Sequence, residues 1–483
     1  MTVAGRIATE LAAAPAFGAV RRSLRSEDAW VVGGALRDAA LGRPVTDVDL
    51  AVGAGAEEAA ARAVAAQIDG HAFSLSDRFA AWRAMPADGS WRVDVAALRG
   101  DDIHADLRLR DLTVNAMALP LGGGAGELVD PLAGLADLEA EVLRAAGDEA
   151  FADDPLRIMR LARLGAELGF AVEPRTVELA RRTAPRAAEP AGERQFAELR
   201  GLMVGPHPLR GLELLDEVGA IPVVLPELEG LRGVTQTPYH HLDAHGHSLE
   251  VLERYVDLQA DLSEVLGGPL AEQVATELES ELADEMTRGD SLRFAALLHD
   301  VAKPATRAVS DEGRVTFFGH DHLGAQMVKE ICARLRTSRR FAEFVAHATL
   351  NHLRLGFLVH GQPLSRRIVF DYLRATEPYG VDVTVLTVAD RLATHGGRTK
   401  PEAIEAHLEL ARQMLTEVLE WERSGPPVMP IKGDELAAEL GMDRGPELGR
   451  LLTEVEAGVF AGEVSSRADA VRLAAAVAES GSA

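Results

Sequence analysis

A chain of 483 residues is too long for one hydrophobic core and predicts several domains. Hydrophobic residues make up 47% and charged residues 26%, which is typical of folded globular proteins. The net charge of −25 argues against indiscriminate nucleic-acid binding, because phosphate contacts need local positive charge. No apolar run has the length of a membrane span, the N-terminus lacks the basic start of a signal peptide, and Cys332 is the single cysteine. We therefore expect a cytoplasmic protein without a membrane partner.

The first 145 residues alternate between helical and strand patterns. The apolar periodicity predicts helices near residues 6–24 and 57–67 and strands at 30–32, 47–50, 81–85 and 92–96. Such alternation indicates an α+β domain with a mixed or antiparallel sheet. From residue 146 onward the pattern is helical.

A glycine pair follows the first predicted strand. Gly33 and Gly34 allow a tight turn in which backbone N–H groups can approach a phosphate with no Cβ in the way. Arg37 comes one helical turn later, where its guanidinium can reach the same phosphates with two hydrogen bonds. The turn is therefore a candidate nucleotide-binding element.

Two aspartates follow in the next predicted strand. Alternate side chains of a strand share a face, so Asp47 and Asp49 should point together while Val48 and Leu50 face the core. Neighbouring carboxylates repel each other unless a divalent cation lies between them, and Mg²⁺ that also binds triphosphate oxygens is the natural occupant. Two solvated aspartates on a surface turn are the alternative for this motif alone. The glycine pair upstream favours the metal site.

Asp94 lies inside another predicted strand, Arg92-Val93-Asp94-Val95-Ala96. As a third carboxylate it would complete a polymerase-type site, in which one metal ion activates a primer hydroxyl and another holds the triphosphate. A strand aspartate that faces solvent is the alternative. Further along, the apolar segment 107–119 carries Arg110, Asp111 and Asn115, and an asparagine is unusual in a plain core segment.

Taken in order, these motifs resemble the class II tRNA nucleotidyltransferases, the family of CCA-adding enzymes, A-adding enzymes and bacterial poly(A) polymerases. The matching elements are GGxxRD at 33–38, DxD at 47–49, RDxTxNA at 110–116, DPxxGxxDL at 130–138, DDPLRIMRLAR at 153–163 and GERQFAEL at 192–199. The resemblance implies a polymerase-β-like head followed by an all-α neck and body. It also implies Mg²⁺ as cofactor, and CTP, ATP and the tRNA 3′ end as partners. The nucleotide-binding residues that it implies in the head are Gly33, Gly34, Arg37, Arg110, Asp111 and Asn115.

In that family, the helix after the DPLR turn selects the incoming base. Asp154 and Arg157 lie three residues apart, so we expect them to share a helix face and to offer an acceptor and forked donors to cytosine or adenine. By resemblance Arg160 and Arg163 join them, and the helical rotation directs these two toward phosphate or ribose. Asp153 stands where the family usually has glutamate. A surface ion pair is the alternative for Asp154 and Arg157.

A histidine-rich region follows. It contains His240, His241, His245 and His247, then His299-Asp300, His320, His322, His347 and His352, and finally Asp390 further along the chain. This order resembles the HD phosphohydrolase superfamily, in which H…HD…D ligands hold a metal that activates water against a phosphoester. The resemblance implies His247, His299, Asp300 and Asp390 as ligands, with His320 and His352 as candidates for a second metal. Imidazole with carboxylate suits Ni²⁺, Mn²⁺ or Co²⁺ better than Mg²⁺.

We therefore expect an enzyme that adds CCA, or its terminal A or CC, to tRNA and releases pyrophosphate. The expected domains are a head at 1–145, a helical neck and body for base selection and RNA binding at 146–236, an all-α HD domain at 237–400 and a helical C-terminal segment at 401–483. Poly(A) polymerase is the alternative within the family. An HD phosphohydrolase with a nucleotide-sensing head is the alternative outside it, and the intact DPLR and RDLTVNA elements argue against that alternative.

Overall fold

The structure is a computed structural model and describes residues 2–24, 29–76, 81–122 and 127–480. It divides into two compact units, Met1–Val224 and Leu225–Ala483. The sequence predicts a border at residue 236, whereas residues 225–236 belong to the second unit in the structure.

The chain begins with two helices, α1 (Val3–Ala13) and α2 (Pro15–Ser23). Ala14 between them is extended, with φ −75° and ψ 119°. A residue before proline is sterically kept out of the helical region, so Pro15 ends the first helix. The single helix expected over residues 6–24 is therefore wrong.

A six-stranded sheet forms the centre of the head. Its strands are β1 (Ala29–Val32), β2 (Asp47–Val52), β3 (His71–Ser76), β4 (Ala81–Met85), β5 (Arg92–Ala97) and β6 (Ala118–Pro120), in the spatial order β3-β4-β5-β2-β1-β6. β2 and β5 are parallel, and the other neighbours are antiparallel, so the sheet is mixed, as expected. The two edge strands, β3 and β6, were not predicted.

Helices cover the sheet and continue into a mostly helical region of the same unit. They are α3 (Gly34–Leu41), α4 (Glu57–Gln67), α5 (Ile103–Arg108), α6 (Gly134–Glu139), α7 (Ala150–Asp153), α8 (Leu156–Leu168), α9 (Pro174–Thr183), α10 (Gly192–Val204), α11 (Pro208–Glu217) and α12 (Ile221–Val224). The short strands β7 (Val142–Leu143) and β8 (Ala171–Val172) pair between them. α4 packs against β3, β4 and β5, and it has the bounds that the sequence predicts. α8 packs against both α10 and α11.

The second unit is built almost entirely of helices. They are α13 (Pro226–Glu229), α14 (Ala244–Ala260), α15 (Ser263–Leu266), α16 (Gly268–Glu279), α17 (Arg288–Leu298), α18 (Lys303–Thr306), α19 (His320–Leu335), α20 (Arg339–Asn351), α21 (Arg354–Leu358), α22 (Arg366–Thr376), α23 (Gly380–Leu392), α24 (Pro401–Ser424), α25 (Gly433–Leu440), α26 (Pro446–Phe460) and α27 (Arg467–Ser480). Two small hairpins join some of them: β9 (Glu281–Ala283) with β10 (Met286–Thr287), and β11 (Ala308–Val309) with β12 (Val315–Thr316). α14, α17, α20 and α23 pack on one another, and α19 packs on α20. No helix in the described part of the chain combines the length and apolar character needed to cross a bilayer.

Candidate functional site

Three carboxylates cluster on neighbouring strands of the head. In β2, Val48 and Leu50 are buried while Asp47 and Asp49 reach solvent, so the side chains alternate as expected. β5 runs parallel to β2 and sets Asp94 in register with Asp49. Residues in register on adjacent strands point to the same face of a sheet. The three carboxylates therefore share one face.

The pKa of Asp49 reflects this crowding. Its carboxylate is open to solvent, but protein atoms surround it and displace much of the water that would hydrate its charge. This desolvation, followed by the charge of Asp94, raises the pKa of Asp49 to about 6 against the pull of Arg110 and Arg160. A site that destabilises neighbouring negative charges favours a bound cation.

Two arginines that the sequence analysis did not single out hold the other carboxylates. Arg92 donates from Nε to Asp47 at 2.8 Å, across the β2–β5 pair. Arg83 in β4 lies opposite Asp94 and donates two hydrogen bonds to it, at 2.7 and 2.8 Å. A strand pattern alone could have suggested Arg92, which shares a face with Asp94, but Arg83 requires knowledge of the β4–β5 register.

The glycine turn lies directly beside Asp49. Gly33 has a φ of +75°, and a Cβ built there would lie 3.1 Å from Oδ2 of Asp49 and 3.4 Å from Nη1 of Arg110. The position therefore requires glycine for both conformation and space. Arg110 is held in place by the buried Asp106, 2.8 Å from its Nη2. The turn, Arg110 and the carboxylates thus form one site.

A closed ring of hydrogen bonds joins the head to helices α8 and α10. Its seven members, in order, are Arg37, Asn115, Asp111, Arg160, Glu198, Arg163 and Glu167. Each link spans 2.7 to 3.3 Å between donor and acceptor. Arg37 is buried in the ring and donates two further hydrogen bonds to Asp38. Arg37, Arg160 and Arg163, which we expect from the sequence to reach phosphate or ribose, are bound to protein groups in the structure.

The ring also explains the unusual polar residues of the segment 107–119. Burial would raise the pKa of Asp111, but Arg160 and the Leu112 amide outweigh it and lower the pKa to about 2. Asn115 accepts from Arg37 and donates to Asp111, so both ends of its amide are used. Glu167 and Glu198, which complete the ring, were missed because only the fold brings them to these partners.

The DPLR turn differs from the expectation. Asp154 is extended, with φ −145° and ψ 100°, and α8 begins only at Leu156. Since Pro155 keeps the preceding residue out of the helical region, the shared helix face expected for Asp154 and Arg157 is wrong. Asp154 instead accepts from Nη2 of Arg194 at 3.0 Å and from the amide of Leu156.

Arg157 is buried and anchored to the backbone. Its guanidinium donates to the carbonyls of Leu109 and Ala150, both at 2.8 Å, and of Arg110 at 3.2 Å. Even so, Arg157 and Asp154 line one pocket of about 480 Å³, together with Arg194 and Leu109. The pocket is as large as ordinary small-molecule sites. Leu109 in its wall is the chain neighbour of Arg110 in the carboxylate site.

The second unit contains a separate cluster of histidines and aspartates. Asp300 lies at its centre, with Nε2 of His299 at 3.1 Å, of His320 at 3.3 Å, of His247 at 3.8 Å and of His352 at 3.9 Å. Asp390 completes it, 3.0 Å from Nε2 of His247. The six residues predicted as ligands therefore converge, although they come from five different helices or helix ends.

The cluster is arranged as metal ligands usually are. His299, His320 and His352 each donate from Nδ1 to a backbone carbonyl, at 2.9, 2.7 and 2.6 Å. Such bonds fix the tautomer and leave Nε2 as a lone pair for a metal. The Nε2 atoms of His247, His299 and His320 and both oxygens of Asp300 are buried without a well-formed hydrogen bond in the described structure. Two groups fit a metal ion, His247–His299–Asp300 and Asp300–His320–His352, and they share Asp300.

The electrostatics keep Asp300 and His352 in the forms that bind metals. Burial would raise the pKa of Asp300, but His299 and Lys303 outweigh it and hold the pKa well below its usual range. Burial lowers the pKa of His352 to about 4, so its ring is neutral near pH 7. Lys303 was not singled out from the sequence; its Nζ lies 2.5 Å from Asp300 and 5.4 Å from the Phe317 ring centroid.

Comparison with known proteins matches three parts of the chain to family models. These are the poly A polymerase head domain over residues 29–144, a probable RNA and SrmB-binding site of polymerase A over 169–231, and the HD domain over 245–395. The chain is similar to the Thermotoga maritima CCA-adding enzyme complexed with tRNA, with a TM-score of 0.57, 19% identity and 95% of each chain covered. A CCA-adding enzyme complexed with CTP gives a TM-score of 0.64 at 20% identity, over 99% of this chain and 100% of the other. These likenesses support the fold.

Relatives found by sequence comparison have higher identity to this chain than these solved structures. An A-adding tRNA nucleotidyltransferase of Deinococcus radiodurans is 34% identical over 92% of this chain and 94% of its own length. A CC-adding tRNA nucleotidyltransferase of Thermus thermophilus is 33% identical over 92% of each. A multifunctional CCA protein of Variovorax paradoxus is 36% identical over 68% of this chain and 77% of its own. The chain therefore belongs to the tRNA nucleotidyltransferase and poly(A) polymerase family of transferases, in the form that carries a fused HD domain.

Proposed function

We propose that this chain extends the 3′ end of tRNA with nucleotides from CTP and ATP, adding CCA or its terminal A or CC. The observation that carries the proposal is the shared register of Asp49 and Asp94 beside Asp47 and the Gly33 turn. The full-length relatives include A-adding and CC-adding enzymes, so the head chemistry is common to these products. A poly(A) polymerase would use the same head but make longer products.

In the proposed reaction, the 3′-oxygen of the RNA bonds to the α-phosphorus of the nucleotide. The bond between that phosphorus and the bridging oxygen breaks, pyrophosphate leaves, and the hydroxyl proton passes to water. Asp47, Asp49 and Asp94 are oxygen ligands of the kind that Mg²⁺ prefers. Bound there, Mg²⁺ supplies positive charge that lowers the pKa of the attacking hydroxyl and neutralises the triphosphate. Arg110 adds a fixed positive charge, and Gly33 and Gly34 let a phosphate approach the backbone.

Base selection is assigned to the pocket at the DPLR turn. Asp154 offers a carboxylate acceptor at its wall, and Arg157 and Arg194 offer donors. Arg37, Asp111, Asn115, Arg160 and Arg163 act on the nucleotide through the ring, which fixes α8 relative to the head. They are positioning residues in this proposal.

The HD cluster is assigned a second, hydrolytic activity. Its histidines and carboxylates suit Ni²⁺, Mn²⁺ or Co²⁺, and a metal at such a site activates water at neutral pH. The water oxygen would bond to phosphorus, the ester P–O bond would break, and the leaving alkoxide would take up a proton. His247, His299, Asp300 and Asp390 would hold one ion, and His320 and His352 a second that shares Asp300.

The domains in this proposal are the head at 1–145, the neck and body at 146–236, the HD domain at 237–400 and a tRNA-holding segment at 401–483. The cytoplasm is the proposed location.

The decisive experiment supplies the protein and Mg²⁺ with labelled CTP and ATP and with tRNAs that end before C74, before A76 or at A76. Sequencing the products identifies addition of CCA, A or CC, and long A tails would show a poly(A) polymerase. Release of phosphate without any extension would contradict the transferase and favour the sensor alternative.

A further inference from the structure

The three carboxylates of the head are not equally free to bind a metal. Among the described residues, none donates a hydrogen bond to the carboxylate of Asp49. Nε of Arg92 donates to Oδ2 of Asp47 at 2.8 Å, Nη2 lies 2.8 Å from the same oxygen, and no described residue donates to Oδ1. Asp94 differs, because Arg83 donates to both of its oxygens, at 2.7 and 2.8 Å. Only Asp94 therefore has an arginine on both oxygens.

Strand pairing fixes this contact in the sheet. Arg83 lies opposite Asp94 in the antiparallel pair of β4 and β5, and Asp94 lies beside Asp49 in the parallel pair of β5 and β2. Residues in register share a face, so the three side chains form a row with Asp94 in the middle. The side chain of Arg83 is 24% exposed. Its guanidinium can therefore leave Asp94 without opening the core.

A forked arginine and a metal ion compete for the same carboxylate. Each oxygen of an ionised carboxylate has two lone pairs, and a guanidinium fork takes the one on each oxygen that points away from the side-chain carbon. Metal ions usually bind carboxylates through that same lone pair. The positive charge of the arginine also repels a cation. A metal ion at Asp94 therefore has to take an oxygen from Arg83, whereas Asp47 and Asp49 each offer a free oxygen.

We propose that Arg83 is a positioning residue that makes metal binding in the head sequential. One ion binds between Asp47 and Asp49, where the triphosphate completes its shell. The ion that also needs Asp94, and that would activate the RNA hydroxyl, binds only after Arg83 has released an oxygen of Asp94. This inference rests on the nucleotide addition proposed above.

The test measures Mn²⁺ binding to the nucleotide-free protein by electron paramagnetic resonance. It uses the full-length chain carrying His299→Ala with Asp300→Ala, so that ions at the HD cluster do not contribute. We expect one ion bound tightly and a second bound weakly. Arg83→Met should strengthen binding of the second ion about tenfold to a hundredfold, the range for a hydrogen bond to a charged group. Arg83→Lys keeps the charge but loses the fork, and should give an intermediate affinity.

Two controls separate this effect from the loss of a positive charge. Arg62→Met removes an exposed arginine that pairs with Glu58 in α4, and it should change the affinity of neither ion. Arg92→Met removes the same charge beside Asp47, which already has a free oxygen, and should strengthen the second ion less than Arg83→Met does. Two equal sites in the wild-type protein, a second ion that Arg83→Met leaves unchanged or weakens, or an equal gain in Arg92→Met overturns the proposal.

The extension of tRNA provides an independent measurement. At saturating nucleotide, Arg83→Met should lower the Mg²⁺ concentration that gives half-maximal rate about tenfold or more, while KM for the nucleotide stays unchanged. Damage to the fold would not lower the metal requirement. An unchanged or higher Mg²⁺ requirement in this variant overturns the sequential order. If the wild-type protein adds no nucleotide, the proposed function fails, and the Mn²⁺ titration alone decides the role of Arg83.

Discussion

Asp49 and Asp94 occupy the same register position on the parallel strands β2 and β5. Desolvation of Asp49 and, after it, the negative charge of Asp94 raise the pKa of Asp49. The head therefore bears an electrostatic cost in the metal-free protein that a divalent cation removes.

This cost predicts that Asp49→Asn raises the melting temperature of the metal-free protein. The pKa of Asp49 is about 6 in the folded protein, whereas its ordinary value in an unfolded chain is 3.8, so between these values the folded state binds a proton that the unfolded state lacks. The carboxyl group thus lowers stability as pH rises from about 4 to about 6, and the loss is complete above pH 6. Calorimetry in EDTA should show a difference between variant and wild type that grows over this window and then levels off. A difference independent of pH would contradict the assignment.

Asp47→Ala should abolish nucleotide addition without unfolding the head. Removing one ligand of the metal that stabilises transition-state charge should lower the rate of tRNA extension about a hundredfold or more. Asp101→Asn removes an exposed carboxylate elsewhere in the head and should leave the rate unchanged. Near-normal extension by folded Asp47→Ala protein would rule out the catalytic role.

Substitutions of Arg157 and of Asp154, made one at a time, should have different effects on stability. Arg157→Ala removes the donor to three backbone carbonyls, so it should lower the melting temperature and also blur nucleotide selection about tenfold to a hundredfold, the range of one bidentate base contact. Asp154→Ala should alter selection with little effect on stability, because its side chain is about one-third exposed. Competition assays with all four nucleotides measure selection. Equal losses for every nucleotide in both variants would leave only a structural role.

Glu198→Gln tests the ring. Glu198 accepts from Arg160 and Arg163 while nearly buried, so losing its charge should lower the free energy of unfolding by about 1–3 kcal/mol. Glu178→Gln makes the same change at an exposed ion pair with Arg181 and should cost less than about 1 kcal/mol. Urea unfolding measures both. If the two variants are equally stable, the ring does not stabilise the fold.

His299→Ala with Asp300→Ala should remove bound transition metal while tRNA extension stays largely unchanged. The pair supplies ligands to both groups of the HD cluster, whereas the polymerase carboxylates belong to the other unit. His322→Ala, at an exposed histidine of the same region, should retain the metal. Metal analysis measures the bound ion, and the extension assay measures nucleotide addition to tRNA. Loss of extension in the double variant would indicate that the cluster is an RNA-docking or structural element.

Local patterns predicted the features that depend on neighbouring residues. The strand alternation around Asp47 and Asp49 and the bounds of α4 needed only periodicity. Ala14 and Asp154, for which helical periodicity predicts a helix, are extended because Pro15 and Pro155 follow them. The rule for residues before proline excludes both from a helix.

Long-range contacts explain what the sequence could not show. Arg37 looked free to bind phosphate, but its partners Asn115 and Glu167 lie 78 and 130 residues away. Similarly, Asp300 meets Lys303 locally, whereas its approach to His247 and His352 depends on the packing of distant helices. The order of motifs identified the HD cluster through its family resemblance, and only the fold revealed the shared aspartate.

The ring sets a limit on how this enzyme can be divided or recombined. Arg37, Asp111 and Asn115 come from the head, and the other four members come from α8 and α10. In a fragment that ends at residue 145, the buried side chains of Arg37 and Asp111 would lack several of their hydrogen-bond partners. A head taken from a relative would function only if the relative has the same residues at the seven ring positions, or if all seven residues are transferred together. New nucleotide preferences should therefore arise with less loss of stability from substitutions that leave these seven residues intact than from exchange of whole heads.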